Sequence, residues 1–223
     1  MADEATSTSA KSYHHGDLPN ALHGAALELI EEVGPTAFSL REVARRAGVS
    51  HAAPAHHFGD KAGLLTAIAA EGFELLVEEM SEVVAAHPDP VERLVAQGLA
   101  YVRVAHTRPA HFAVMWRPDT HHHDDPRVEA CGLEAFGCLV ATIEEIAAIH
   151  DPDLDIHAAS MMAWSLVQGL SELTEAMDAV IDQIDDDAPV ALAAPDTTAE
   201  LVESVIRLSI GGLVPGRVRD EVG

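Results

Sequence analysis

The stretch SLREVARRAGVSHAAPAHHFGDK, Ser39 to Lys61, decides how this chain folds. Ser39 and Glu42 have the S-x-x-E spacing of a capping box, in which hydroxyl and carboxylate reciprocally satisfy amide groups that a helix start leaves unpaired. A helix therefore begins at Leu40. Leu40, Val43, Ala44 and Ala47 recur at spacings of three and four and form its apolar face, while Arg41, Arg45 and Arg46 lie off that face. Gly48 supplies the permissive backbone that ends the helix, Val49 can plug the corner, and Ser50 is a good N-cap for a second helix over roughly His51 to Phe58. Pro54 falls about four residues past that cap, where its ring crowds the preceding carbonyl unless the helix starts late or its first turn is distorted, and an irregular first turn is expected. Two short helices about a glycine corner make a helix-turn-helix.

The second helix carries His51, Ala52, Ala53, Ala55, His56 and His57 and neither Lys nor Arg. In a DNA major groove, small alanines let the backbone approach closely and can meet a thymine methyl, while Ser50 and the histidines offer hydrogen bonds to base edges or phosphates. Upstream, Asp17 caps a helix predicted from Leu18 to Val33, with Leu18, Leu22, Ala25, Ala26, Leu29, Ile30 and Val33 on one face and Gly34 as terminator. Downstream, Phe58-Gly59-Asp60-Lys61 leads into a long helix carrying Leu64, Leu65 and Ile68.

With both flanks in place, the segment from about Tyr13 to Phe73 resembles the TetR family of transcriptional regulators, whose N-terminal domain places this turn-helix segment second and third of three helices. The arm Tyr13-His14-His15-Gly16-Asp17-Leu18 and the run AGVSHAAP resemble one subgroup, which also carries a Trp, two apolar residues and a His-Gly pair near the C-terminus. Here that region reads Trp164-Ser165-Leu166-Val167-Gln168-Gly169-Leu170, with glutamine in the histidine position. Ala55 stands where many family members carry an aromatic residue, often a tyrosine that contacts phosphate. The resemblance implies a lysine, Lys61, facing a DNA phosphate from a helix start. The expected DNA-binding set is Ser39, Arg41, Arg45, Ser50, His51, Ala52, Ala53, Ala55, His56, His57 and Lys61.

Charge opposes this reading at first sight, since 13 Lys plus Arg against 37 Asp plus Glu give a formal net charge of −24, and nucleic-acid binders are expected to be basic. The acidity sits mainly after Thr66. Met1 to Thr66 holds five basic residues (Lys11, Arg41, Arg45, Arg46, Lys61) against eight acidic ones, so even this part is not net basic. Its six histidines add positive charge as pH falls. Weak nonspecific affinity follows, together with binding strongly sensitive to salt and to pH.

The 223 residues suffice for a small N-terminal domain and a larger core-bearing one. The expected fold class is all-α: a disordered tail over 1–15, a helix-turn-helix domain over 16–76 with its motif at 39–58, and a helical effector-binding and dimerisation domain over 77–215. No apolar stretch approaches a membrane span, and MADEATSTSAKS lacks an apolar signal core, so the expected location is cytoplasmic. Cys131 and Cys138, about 10 Å of rise apart on one helix, cannot bridge each other and are expected as buried thiols. Further helices are predicted over Lys61 to Ala86, Val91 to Thr107, a short piece opened by Pro109, Pro126 to His150, Ile156 to about Ile184, and Thr197 to Leu213. Pro118 to Asp125 and Asp185 to Pro195 read as exposed loops.

By resemblance the last two long helices form a four-helix interface with a second copy, and a two-fold pair reading two half-sites of a palindromic operator gains the specificity that one short helix lacks. Candidate interface residues are Leu166, Leu170, Leu173 and Met177, with Leu201, Val205, Leu208 and Ile210 opposite. The resemblance also implies a pocket for a small-molecule effector that releases a repressor from its operator. Tyr101, Phe112, Met115, Trp116, Phe136, Met161, Trp164 and Gln168 are placed around it.

A metal-responsive regulator using His121, His122 and His123 with Asp124, Asp125, His106 and His111 is the alternative, although adjacent loop histidines cannot all turn onto one ion. No cofactor or resident metal is expected. Ser, His and Asp stand in no nucleophile elbow, phosphate loop or metallohydrolase spacing, so the chain is not expected to be an enzyme.

Overall fold

The computed structural model describes residues 18–181 and 198–211, without the side chains of 175–181 and 198. The tail over 1–15, the cap at Asp17 and the loop over 185–195 lie outside the described residues, as does the side chain of Met177. Those described are all-α: α1 (Leu18–Val33), α2 (Leu40–Arg46), α3 (Ala53–Phe58), α4 (Lys61–Ala86), α5 (Pro90–Thr107), α6 (Pro109–Met115), α7 (Pro126–His150), α8 (Ile156–Ile181) and α9 (Thr198–Ile210). No helix among them is long and apolar enough to cross a membrane.

The punctuation read from the sequence acts as expected at most junctions. α1 buries Leu22, Ala25, Ala26, Leu29 and Ile30 and stops where Gly34 turns to φ +80°. Val33, expected on the same face, is half exposed, because it falls in the last turn where the chain leaves the core. Ser39 caps α2 by accepting from the Glu42 amide at 3.3 Å, but the Glu42 carboxylate bonds Arg45 rather than completing the box. Gly48 makes the corner at φ +67°.

α3 starts at Ala53, after the expected start near His51, and its irregular beginning is the one that Pro54 predicts. His51 and Ala52 form a turn, and Ala52, without a side-chain cap, precedes the helix; Ser50 contributes only its carbonyl, which accepts from the Ala53 amide at 3.0 Å. Pro54 explains the delay: in the first turn its missing amide costs nothing, whereas deeper in a helix it would break a bond.

The entry into α4 is tight. Gly59 adopts φ +78°, and Asp60 accepts from the Gly63 amide at 2.8 Å. A methyl group on Gly63 would stand 2.0 Å from the Phe58 carbonyl oxygen, so this junction requires glycine.

α4 is the spine, burying residues from Leu64 to Val83 and packing against α3, α5, α6 and α7. One hydrophobic core runs from Leu22 in α1 to Ile210 in α9. α1 touches α2 and also α6, so the short sixth helix lies between the helix-turn-helix and the rest. Proline at the N-terminal edge of α5, α6 and α7 sets their starts, and Asp89 and Asp125 cap α5 and α7.

The loop at 118–125 is not wholly exposed as expected. His121 is buried, and the His122 amide donates to Thr66 Oγ1 at 3.0 Å, docking the loop on α4. Cys131 and Cys138 are free and half-buried, and burial pushes both thiols up.

Candidate functional site

The surface around α2 and α3 follows from how their apolar residues turn inward. Val43, Ala44 and Pro54 are buried, which leaves Ser39, Arg41, Arg45, Ser50, His51, Ala52, Ala55, His56 and His57 exposed. Ala53 and Lys61 are half-buried. The His56 and His57 rings stand edge to face, 5.4 Å apart.

The arginines differ in their engagements. Arg46 is forked onto Glu32 with both bonds at 2.7 Å, clamping α2 to α1, and Arg45 pairs with Glu42 one turn back. Each of these carboxyls is held below the usual carboxylate range by the guanidinium bonded to it. Arg41 has no side-chain partner among the described residues.

Lys61 departs from its expected outward role. Its ammonium donates to the Thr36 and Phe38 carbonyls, both at 2.8 Å, and lies 4.3 Å from the Phe38 ring centre. These bonds tie the start of α4 to the α1–α2 connection, and desolvation lowers the lysine pKa.

A second feature lies inside. A cavity of about 200 Å³ opens between α4, α5, α7, α8 and α9. Of the residues placed around a pocket by the sequence reading, Tyr101, Trp116, Phe136 and Trp164 line this cavity. Trp116 is the hub: its ring stands 5.0 Å from Trp164, 5.2 Å from Phe73 and 6.3 Å from Tyr101.

The other expected lining residues sit elsewhere. Phe112 packs behind Tyr101 at 5.6 Å, Met115 is buried against Gly72, and Met161 is exposed while its neighbour Met162 lines the wall, a rotation of one helical position. Gln168 accepts from the Tyr101 hydroxyl at 2.6 Å, so it orients a lining residue without being one. The Trp164 indole N–H donates to the same hydroxyl at 3.3 Å, and burial pushes the Tyr101 pKa up.

Sequence reasoning missed the α4 and α9 walls Phe73, Leu76, Met80 and Ile206, because helical periodicity marks them as core and cannot show that core is left unfilled, and it missed Gln97 and Ser209, polar residues that no apolar pattern picks out. Gln97 is the informative one. It is buried, its amide N donates to the Cys138 carbonyl at 3.2 Å, and its Oε1 has no partner, nor has the Trp116 indole nitrogen. No Lys, Arg, Asp or Glu lines the cavity among the described residues.

The α8 and α9 residues expected at an interface divide. Leu173 and Leu208 are 62% and 78% exposed, and Leu166, Leu201 and Val205 are half-buried. Leu170 and Ile210 turn into the protomer's own core. The loop histidines His121, His122 and His123 do not gather with other ligand atoms of the described residues into a group that could hold an ion.

Two sequence profiles cover most of this architecture. "Bacterial regulatory proteins, tetR family" matches residues 23–68, and "Tetracyclin repressor-like, C-terminal domain" matches residues 94–188. The chain belongs to the TetR family of transcriptional regulators.

Among solved structures, a protein of unknown function from Rhodococcus sp. RHA1 is 28% identical, with a TM-score of 0.70 over 92% of this chain and 100% of its own. The TetR family regulator PfmR from Thermus thermophilus is 20% identical with a TM-score of 0.63 over 85% of this chain and 96% of its own. The ketosteroid transcriptional regulator KstR2 of Mycobacterium tuberculosis is 18% identical, with a TM-score of 0.62 over 87% of this chain and 93% of its own. Likeness at these last two identities concerns the fold. No curated protein matches the chain. As a TetR regulator the protein has a DNA-binding helix-turn-helix, here α2 and α3.

Proposed function

We propose that the protein is a homodimeric repressor that reads a palindromic operator and leaves it when a neutral, largely apolar small molecule occupies the cavity. The observation that carries this reading is the cavity itself: it is walled by aromatic rings, has no charged lining residue among those described, and includes an unpartnered acceptor at Gln97 and an unpartnered donor at Trp116. Buried polar groups without partners are costly, so a ligand that bonds both gains specificity as well as area. A volume of about 200 Å³ exceeds the roughly 150 Å³ that accepts benzene. A carboxylate or phosphate would enter without a cation to meet it, which disfavours charged ligands.

DNA contact is assigned to Ser39, Arg41, Arg45, Ser50, His51, Ala52, Ala53, Ala55, His56 and His57, within a domain spanning 16–76. Lys61 acts by holding the α1–α2 connection onto α4. The second copy packs on α8 and α9 of the domain spanning 77–215, where Leu173 and Leu208 are exposed.

Selection of random duplex DNA by the full chain at low salt, followed by sequencing of what is retained, tests the operator half of the proposal. The expected result is a two-fold symmetric motif with half-sites about 10 base pairs apart. Absence of enrichment would overturn it. With that duplex in hand, neutral apolar compounds are expected to release the protein, and a substitution of Gln97→Leu to weaken release by ligands that carry a hydrogen-bond donor.

A further inference from the structure

Three side chains from distant parts of the sequence meet where α1, α4 and α6 come together. His23 Nε2 lies 2.7 Å from Glu71 Oε2, and His111 Nε2 lies 3.8 Å from the same oxygen. All three ligand atoms fall within 4.8 Å of one another. Gly72 makes the approach possible: a methyl group there would come within 2.6 Å of Met115 Sδ and 3.1 Å of His111 Cβ, so glycine lets α6 settle on α4 with His111 near Glu71.

Ordinary hydrogen bonding leaves the cluster unsatisfied. His23 Nε2 is buried and has Glu71 at ion-pair distance, with no other hydrogen-bonding partner. His111 Nε2 is also buried and unpartnered, in a residue only 5% exposed. Two imidazole nitrogens therefore converge on one carboxylate oxygen, at 2.7 and 3.8 Å.

We propose that His23, Glu71 and His111 bind a single divalent transition-metal ion of the zinc class. Two imidazoles and a carboxylate suit zinc, and donors on one tetrahedral ion at bond lengths of about 2.0–2.2 Å stand ~3.3 Å apart, between the two distances observed. The Glu71 side chain is 44% exposed, which leaves an entry path and a fourth position for water. The ion would staple α1, at the base of the helix-turn-helix, to α4 and α6 at once. The site uses none of the loop histidines and does not depend on the operator or effector reading.

The test is equilibrium dialysis of the metal-free full chain against zinc chloride, paired with titration by cobalt chloride followed by the visible absorption of four-coordinate Co²⁺. The expected result is one zinc per chain at micromolar concentration and a four-coordinate cobalt spectrum. His23→Gln and Glu71→Gln, both at partly exposed positions, are each expected to weaken uptake at least about tenfold, the loss that removing a ligand's supporting partner already produces. The double substitution His122→Asn with His123→Asn is expected to leave uptake unchanged. No zinc retained at micromolar metal would overturn the site. Uptake that survives His23→Gln and Glu71→Gln intact, or that disappears with the loop substitutions, would equally overturn it.

Discussion

The pairing of cations around α2 and α3 bounds how steeply salt weakens operator binding. Of the four basic residues there, Arg46 is forked onto Glu32, Lys61 donates to two backbone carbonyls, and Arg45 is paired with Glu42. Arg41 alone has no partner among the described residues. Arg45 transfers to a phosphate readily, because an exposed pair within one helix contributes little. Arg46 and Lys61 do not, since moving them undoes the α1–α2 clamp and strips two carbonyls of their donor.

Two phosphate contacts per protomer give four per dimer, and hence a slope of about −3.6 in log K against log salt, a roughly 150-fold loss between about 50 and 200 mM. All four cations on phosphates would give about −7.2 and a roughly 20,000-fold loss. The strong salt sensitivity expected from the sequence is thereby reduced to a modest one. Fluorescence anisotropy of the selected duplex, titrated with sodium chloride at about pH 8 to limit histidine charge, measures the slope. Arg41→Ala is expected to reduce it by about 1.8. A wild-type slope near −7, or an unchanged slope in Arg41→Ala, would refute the reasoning.

Gly63→Ala gains about 1 kcal/mol of helix propensity but forces a backbone collision at 2.0 Å that no rotamer relieves. Overpacking of this kind costs about 1–3 kcal/mol and moves α3, so a lower urea midpoint and lost operator affinity are expected, and a raised midpoint would contradict the tight junction. Arg93, 8% exposed, donates to the His87 and Pro88 carbonyls and to Glu145. Arg93→Ala is expected to cost about 2–4 kcal/mol in denaturant unfolding, with lysine restoring less than half because an ammonium lacks the fork.

The buried His111 and His121 have pKa values lowered from 6.5, mainly by desolvation, so the unfolded chain binds protons that the folded chain refuses. Stability is therefore full above that value and falls as pH drops through it. The urea midpoint at about pH 5.5 is expected to lie below that at about pH 7.5, with His121→Gln narrowing the gap. A midpoint that rises on acidification would contradict the assignment.

The fold was legible wherever a single residue punctuates the chain. Gly34, Asp60, Asp125 and the prolines near helix starts place α1, α4 and α7 at the spans expected from sequence. Ser50 misled as a cap, while Pro54 correctly signalled an irregular start two residues further on. In the cavity the aromatic residues were recognisable and the aliphatic walls were not: a leucine facing a void has the same periodicity as one facing another leucine. The His23, Glu71 and His111 cluster was invisible, since its members share neither a helix nor a spacing, and only the approach at Gly72 brings them together.

α6 is where the two halves of the proposed function meet. Trp116 closes its C-terminal end and lines the cavity, and the same seven-residue helix packs on α1 and buries His111 and Met115. A ligand entering beside Trp116 meets a ring fixed on three sides by Phe73, Tyr101 and Trp164, so the ring has little freedom to turn alone and displacement passes to the helix that carries it. α1 then carries α2 with it through the Arg46–Glu32 fork. Coupling of this kind is worth typically about 1–3 kcal/mol, and a ligand shifts the equilibrium only by its difference in affinity between the two positions of α6. On the proposed function occupancy alone is insufficient: a compound that fills the α7 side of the cavity and leaves Trp116 in place is expected to bind without releasing DNA, whereas one that displaces Trp116 is expected to bind and release.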